Sequence, residues 1–334
     1  MTSPLLKVEG LTKHYAIANG VLKRERTKVR AVEDVSFSVE AAQTLCIVGE
    51  SGCGKSTIAR LLMRLVQPTS GRVLIDGTDI ASLNKMELRT WRRRMQMVFQ
   101  DPYSSLNPRL TAQQIVTEPV ENFERLSQRE CRLLAGDLLK QVGLSTDMMN
   151  RRPSEMSGGQ RQRLGIARAL ALNPSLIIAD EAVSALDVSV QAQVLNLLMD
   201  LQQQMGIAFV FISHDLSVVE HIGHRIAVMY LGRIVELASA DTLFADPVHP
   251  YSEALIAAAP VPDPTRARLA VPLEGEVPSP INPPSGCAFH PRCPLAVERC
   301  RVEVPFLTPT PDGRFVACHV RAPARIPKES QRCD

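Results

Sequence analysis

The sequence predicts an α/β fold built around a mainly parallel sheet. Short apolar runs alternate along it with stretches of helical spacing, and a glycine-rich turn joins one such run directly to one such stretch. Leu45-Cys46-Ile47-Val48 reads as a buried strand, and Ile58 to Val66 as the following helix, ended near Pro68. Val73-Leu74-Ile75 is a strand before the turn Asp76-Gly77; Met95 to Phe99 and Leu176 to Ala179 are two more. Val190, Val194, Leu197, Leu198 and Leu201 fall at helical spacing, and Gly206 closes that helix before the strand Ile207 to Ile212. Beyond residue 245 the composition changes, with prolines clustered from Pro247 to Pro311 and little periodicity. Residues 1–245 therefore read as the main domain and 246–334 as a loop-rich extension. The chain has no internal repeat and no heptad pattern.

Apolar residues make up 45% and charged residues 22%, which supports a sizeable core and excludes wholesale disorder. A net charge of +3 is too small to argue for a nucleic-acid partner, and the basic run from Lys23 to Arg30 reads as a solvated loop. No stretch reaches the ~20 apolar residues that span a bilayer. Met1-Thr2-Ser3-Pro4 lacks the charged-then-apolar pattern of a signal peptide. We therefore expect a protein of the cytosol or the cytosolic face of a membrane, where eight cysteines do not form a disulfide framework.

The strongest motif is Gly49-Glu50-Ser51-Gly52-Cys53-Gly54-Lys55-Ser56-Thr57, a G-x-x-x-x-G-K-S phosphate loop between an apolar strand and a helix. Its glycines let the backbone curl so that N–H groups face phosphates, and the helix N-terminus adds partial positive charge. Lys55 is expected to bridge the terminal phosphates of a nucleotide and Ser56 to hold Mg²⁺. Leu176-Ile177-Ile178-Ala179-Asp180-Glu181 is an apolar strand ending in two carboxylates. Side by side at a buried strand end they repel each other and lose solvation, so they need a cation. Asp180 is expected to bind Mg²⁺ and Glu181 to orient or deprotonate the attacking water. Further along, Ser157 and Gln160 make a capping box that starts a helix, and Gly158 and Gly159 leave its end open to an anion.

With its preceding apolar residue, that box reads Met156-Ser157-Gly158-Gly159-Gln160 and resembles the signature of the ATP-binding cassette (ABC) family, where Leu is usual in place of Met156. The resemblance implies an ABC-type P-loop ATPase core with an antiparallel β subdomain and a helical signature subdomain at about 103–160. It implies two ATP molecules sandwiched between two cassettes, each signature facing the γ-phosphate of the opposing subunit. By the same resemblance Tyr15 stacks on adenine, and Gln100 senses both Mg²⁺ and the membrane subunits. Ser184-Ala185-Leu186-Asp187 links the two active sites, and His214 is the switch histidine at the γ-phosphate. Ala182 stands where many relatives have Pro, which loosens the backbone there.

His249-Pro250-Tyr251 and Cys287-Ala288-Phe289-His290-Pro291-Arg292-Cys293-Pro294 resemble the tail of oligopeptide and dipeptide importer ATPases, as does Phe99 to Pro108. The insert between Tyr15 and Ala31 leans toward the second of that family's paired ATPases. The resemblance implies import of peptides, or of another small cargo such as nickel complexes or glutathione. It implies a second, non-identical ATPase subunit, two transmembrane permease subunits, an external binding protein, and a peripheral place on the cytoplasmic face of the bacterial inner membrane. A soluble relative acting on nucleic acid or ribosomes would need long heptad arms or two cassettes in one chain. Cys287, Cys293, Cys300 and Cys318, spaced C-x5-C-x6-C-x17-C, suit tetrahedral zinc or an iron–sulfur cluster. The resemblance implies [4Fe–4S], with zinc and unmetallated thiols the alternatives, and a structural role follows from a proline-rich segment too short of apolar residues to pack alone. Cys46, Cys53, Cys131 and Cys333 carry no assignment.

Overall fold

The computed structural model describes residues 3–17, 27–259 and 275–322. The first part of the basic run and Cys333 lie outside them. Twelve strands lie among the described residues: β1 (Leu6–Ile17), β2 (Thr27–Val39), β3 (Thr44–Val48), β4 (Ser70–Ile75), β5 (Thr78–Asp79), β6 (Met95–Val98), β7 (Leu176–Asp180), β8 (Ala208–Ile212), β9 (Arg225–Tyr230), β10 (Arg233–Ser239), β11 (Thr308–Pro309) and β12 (Phe315–Val316). The larger sheet runs β11-β12-β10-β9-β3-β8-β7-β6 and the smaller β2-β1-β4-β5. Pairing is parallel from β6 through β7, β8 and β3 to β9, the expected parallel core, and antiparallel from β9 outward.

Residues in β3, β7 and β8 are buried on both faces, which is why these strands read as unbroken apolar runs. Alternate side chains feed two cores. Cys46, Val48, Ile177, Ala179, Phe209 and Phe211 join the cluster on the helical side. Leu45, Ile47, Leu176, Ile178, Val210 and Ile212 join the one beneath the smaller sheet. The helices Ala112–Glu121, Gln128–Gln141 and Gly158–Leu170 each open on a capping box, Thr111 with Gln114, Ser127 with Glu130 and Ser157 with Gln160. The first two lie within 103–160, where a helical subdomain was expected, and the third begins at its end and runs on to Leu170.

One helix differs from expectation at both of its ends. The helix after the phosphate loop spans Lys55–Leu62, beginning three residues before Ile58, because Gly54 at φ 106° is its N-cap. It stops short of Val66 because Arg64 turns left-handed at φ 47°. Gly206, at φ 67°, ends the helix Val188–Met205 as expected.

The residues beyond 245 are joined to this framework. β12 adds to β10, with Glu236 opposite Val316 and Leu237 opposite Phe315. Tyr251, Ile256 and Phe289 belong to the helical-side core. Glu236, fully buried on β10, accepts the N–H groups of Val248 (3.0 Å) and His249 (2.8 Å) and lies 3.7 Å from the buried Arg314 guanidinium. Among the described residues no helix is long and apolar enough to cross a membrane.

Candidate functional site

The carboxyl ends of the parallel strands converge on one edge of the sheet, where loops of an open α/β sheet hold ligands. The loop after β3 supplies Gly49 to Lys55, that after β6 supplies Gln100, β7 ends in Asp180, and His214 follows β8. The phosphate loop is held close on both sides. A Cβ on Gly49 (φ 150°) would stand 2.2 Å from the Met229 carbonyl oxygen, and one on Gly54 2.0 Å from that of Ala31. Only glycine fits at either place. Lys55 is 5% exposed, and its ammonium donates to the carbonyls of Gly49 (2.7 Å) and Glu50 (2.9 Å) across the mouth of the loop.

Ser56, at the second residue of the helix, donates its hydroxyl to Asp180 Oδ1 at 3.1 Å, so the phosphate loop and the carboxylate strand meet there. Burial pushes the Asp180 carboxyl above its ordinary range, opposed by the Ser56 hydrogen bond and reinforced by the Glu181 charge. Ser56 and Asp180 are hard oxygen donors brought together beside the loop, a donor set that suits Mg²⁺.

Glu181 sits in the left-handed region at φ 49°, its N–H bonded to the Ile212 carbonyl at 2.9 Å. That turn aims its carboxylate between two other predicted residues. Gln100 Nε2 donates to Oε2 at 2.6 Å, and His214 Nδ1 lies 3.3 Å from Oε1. His214 is 58% exposed on its side chain and Glu181 17%, so the histidine forms the outer wall. Ser184 closes the following turn through its hydroxyl, 3.0 Å from the Glu181 carbonyl.

The signature forms its capping box, Ser157 N–H to Gln160 Oε1 at 3.0 Å and Gln160 N–H to Ser157 Oγ at 3.3 Å. Gly159 has a second reason, not legible in the sequence, whereas a Cβ at Gly158 would meet only an ordinary contact. A Cβ on Gly159 would stand 2.5 Å from Val190 Cγ1, and one on Gly158 3.7 Å from Leu186 Cδ2. Tyr15 lies on β1 opposite Val29, with the Lys13 ammonium 5.0 Å from its ring centroid. Among the described residues, neither group is joined by a hydrogen bond to the phosphate loop.

The four extension cysteines are free thiols lying within electrostatic reach of one another. Burial pushes Cys287 up to about 11, with the charges of Cys300, Cys293 and Cys318 adding to the shift and the Phe289 N–H opposing it. Cys293 receives the Leu295 N–H, and Cys318 Sγ that of Arg321 at 3.4 Å. Backbone N–H groups aimed at sulfur stabilise thiolates, the form a metal requires. As placed, however, no group of three or more His, Cys, Asp or Glu among the described residues is gathered tightly enough to hold a metal ion.

The residues of the extension that touch the site carried no assigned role in the sequence. Tyr251 Oη accepts the Glu50 N–H at 2.9 Å, and Arg292 binds the Glu50 carboxylate with two nitrogens. Their place in the tail motifs marked them, but nothing in spacing joins residue 292 to residue 50.

The family model of the ABC transporter matches residues 32–184, and that of the oligopeptide/dipeptide transporter C-terminal region matches residues 235–300. The chain is similar to the probable peptide ABC transporter ATP-binding protein y4tS of Sinorhizobium fredii, 79% identical over 324 residues covering 97% of this chain and 92% of that one. It is 49% identical to the oligopeptide transport ATP-binding protein AppF of Bacillus subtilis, over 95% of this chain and 97% of that one. Among solved structures, the dimeric ATP-binding cassette MJ0796 bound to ADP and Pi matches with a TM-score of 0.63 at 32% identity, over 70% of this chain and 98% of that one.

Proposed function

Since the chain belongs to the ATP-binding proteins of peptide ABC transporters, we propose that it hydrolyses ATP to energise the import of di- or oligopeptides. The observation that carries this is the joining of Ser56 to Asp180 and of Gln100 and His214 to Glu181, four loops assembled at one sheet edge.

In this reading the N–H groups from Gly52 to Thr57 cradle the phosphates, and Lys55 leaves its loop carbonyls to bridge the terminal two. Ser56 and Asp180 would hold Mg²⁺ with Gln100 nearby, and the ion would neutralise charge on the phosphate oxygens. Glu181 accepts a proton from, or orients, the attacking water. Gln100 and His214 keep its carboxylate aimed, and His214 turns to the γ-phosphate when the site closes. Tyr15 stacks on adenine. Ser157, Gly158, Gly159 and Gln160 serve the ATP held by a second cassette, a paralogue of this chain. That pair sits on two permease subunits at the cytoplasmic face of the inner membrane, supplied by an external binding protein. The relatives' printed names support the peptide cargo.

Peptide uptake by cells carrying Glu181→Gln tests the reading. Uptake and ATPase rate are expected to fall at least ~100-fold while ATP binding persists. Parental uptake in that variant would overturn the assignment of Glu181.

The four cysteines are proposed to hold a [4Fe–4S] cluster that staples the proline-rich tail, with zinc the alternative. Support comes from their mutual reach and the N–H donors on three of the sulfurs. Anaerobic purification followed by iron, sulfide and zinc analysis decides between the two, and metal-free protein of parental stability excludes both.

A further inference from the structure

Glu50, the first variable position of the phosphate loop, is fixed at each of its polar groups. Its carboxylate takes Arg292 Nη1 at 2.9 Å and Nη2 at 3.1 Å, a two-pronged pair with the Arg292 side chain 5% exposed. Its N–H donates to Tyr251 Oη at 2.9 Å. Its carbonyl receives Lys55 Nζ at 2.9 Å and closes a turn with the Cys53 N–H at 3.3 Å. The first two contacts come from beyond residue 245, more than two hundred positions along the chain.

Those two contacts stand on one block. Tyr230, Tyr251 and Phe289 pack with ring centroids 4.7, 5.2 and 5.5 Å apart, and the Arg292 guanidinium lies 6.0 Å from the Tyr230 ring. Arg292 ends the short turn His290–Arg292, immediately before Cys293. The loop cannot slide as a body, because the backbone at Met229 and Ala31 leaves no room beside Gly49 and Gly54. The peptide of Glu50 is therefore the part of the loop whose orientation the extension controls.

We infer that Arg292 and Tyr251 are positioning residues for ATP binding, through which the carboxy-terminal extension sets the affinity of the phosphate loop. Two physical effects act in the same direction. Holding the Glu50 peptide keeps the later N–H groups arranged for phosphate before ATP arrives. Pairing the Glu50 carboxylate removes an anion that would otherwise repel a triphosphate at its door. The inference rests on the reading that this loop binds ATP.

The test is MgATP affinity of the purified full chain and ATPase kinetics of the transporter complex that contains it. Arg292→Met is expected to weaken ATP binding about tenfold, and Tyr251→Phe about threefold. The rate at saturating ATP should stay within about twofold of the parent, since neither residue touches the reacting atoms. Arg292→Lys should recover part of the loss. Glu50→Gln placed on top of Arg292→Met should recover part as well, because it removes the unpaired charge. Folding is checked by circular dichroism and melting, and Lys55→Ala is measured alongside. If parent and Lys55→Ala bind ATP alike, the ATP reading fails. If Lys55→Ala loses binding while folded Arg292→Met keeps parental affinity, only this inference fails. A lowered saturating rate at unchanged KM would also overturn it. Should Arg292→Met not fold, Arg292→Lys and Tyr251→Phe carry the test, and parental affinity in both overturns the inference.

Discussion

Glu181 and His249 show how single residues are held in states that their ordinary chemistry disfavours. A non-glycine residue at φ 49° costs about 1–3 kcal/mol, and Glu181 is kept there by its N–H to Ile212 and by Ser184 on its carbonyl. Ala182, next to it, is buried and has no ring to fix the turn, so those hydrogen bonds hold it. His249 is 1% exposed, and its Nδ1 accepts the Tyr251 N–H at 3.1 Å to cap the helix Pro250–Ala257. Burial, with Arg321 adding, pushes its pKa down to about 3. The unfolded chain binds a proton near pH 6.5 that the fold refuses. Stability from this group is therefore full above pH 6.5 and is lost as pH falls from 6.5 toward 3, at about 1.4 kcal/mol per pH unit. Thermal melts from pH 7.5 to 5.5 should show the parent losing more stability than His249→Asn, whose side chain still caps. Parallel curves would contradict this.

At the scale of elements, what was legible depended on whether a segment's reason lay in its own sequence. β3, β7 and β8 are buried on both faces, so their apolar runs announced them, and Gly206 announced a helix end. β1 is interrupted by Gly10 at φ 56° and by register shifts against β2, so its alternation is broken and periodicity alone missed it. The loops at the strand ends were readable because strand ends and motif residues coincide, as at Asp180 and His214. The grip of Arg292 on Glu50 was not, because it depends on tertiary approach alone. Gly159 shows the same limit: its closeness to Val190 ties the signature helix to the helix Val188–Met205. Gly159→Ala is expected to cost about 1–3 kcal/mol in chemical denaturation, since the β-branched Val190 cannot swing aside. Val190→Ala in the same chain should restore most of that. A double variant no more stable than Gly159→Ala would contradict the packing explanation.

Over the whole molecule, the extension is tied to the ATPase core at two places. Arg292 grips the phosphate loop. Arg314, buried, meets Glu236 on β10 at 3.7 Å and also binds Asp312 and Asp246. Breaking one partner of a buried pair leaves a charge with less compensation, so Arg314→Met is expected to destabilise the chain by about 3 kcal/mol. Equilibrium denaturation checks it, and a loss under about 1 kcal/mol would show that the Glu236 contacts to Val248 and His249 suffice. The central claim is that this chain works as the ATPase of a membrane-bound peptide importer. It is tested most directly by tagging the chain in its own host, solubilising membranes gently and identifying what co-purifies. The account predicts two multispanning proteins and a second, non-identical cassette. Recovery from the soluble fraction alone, bound to ribosomes or nucleic acid, would contradict it.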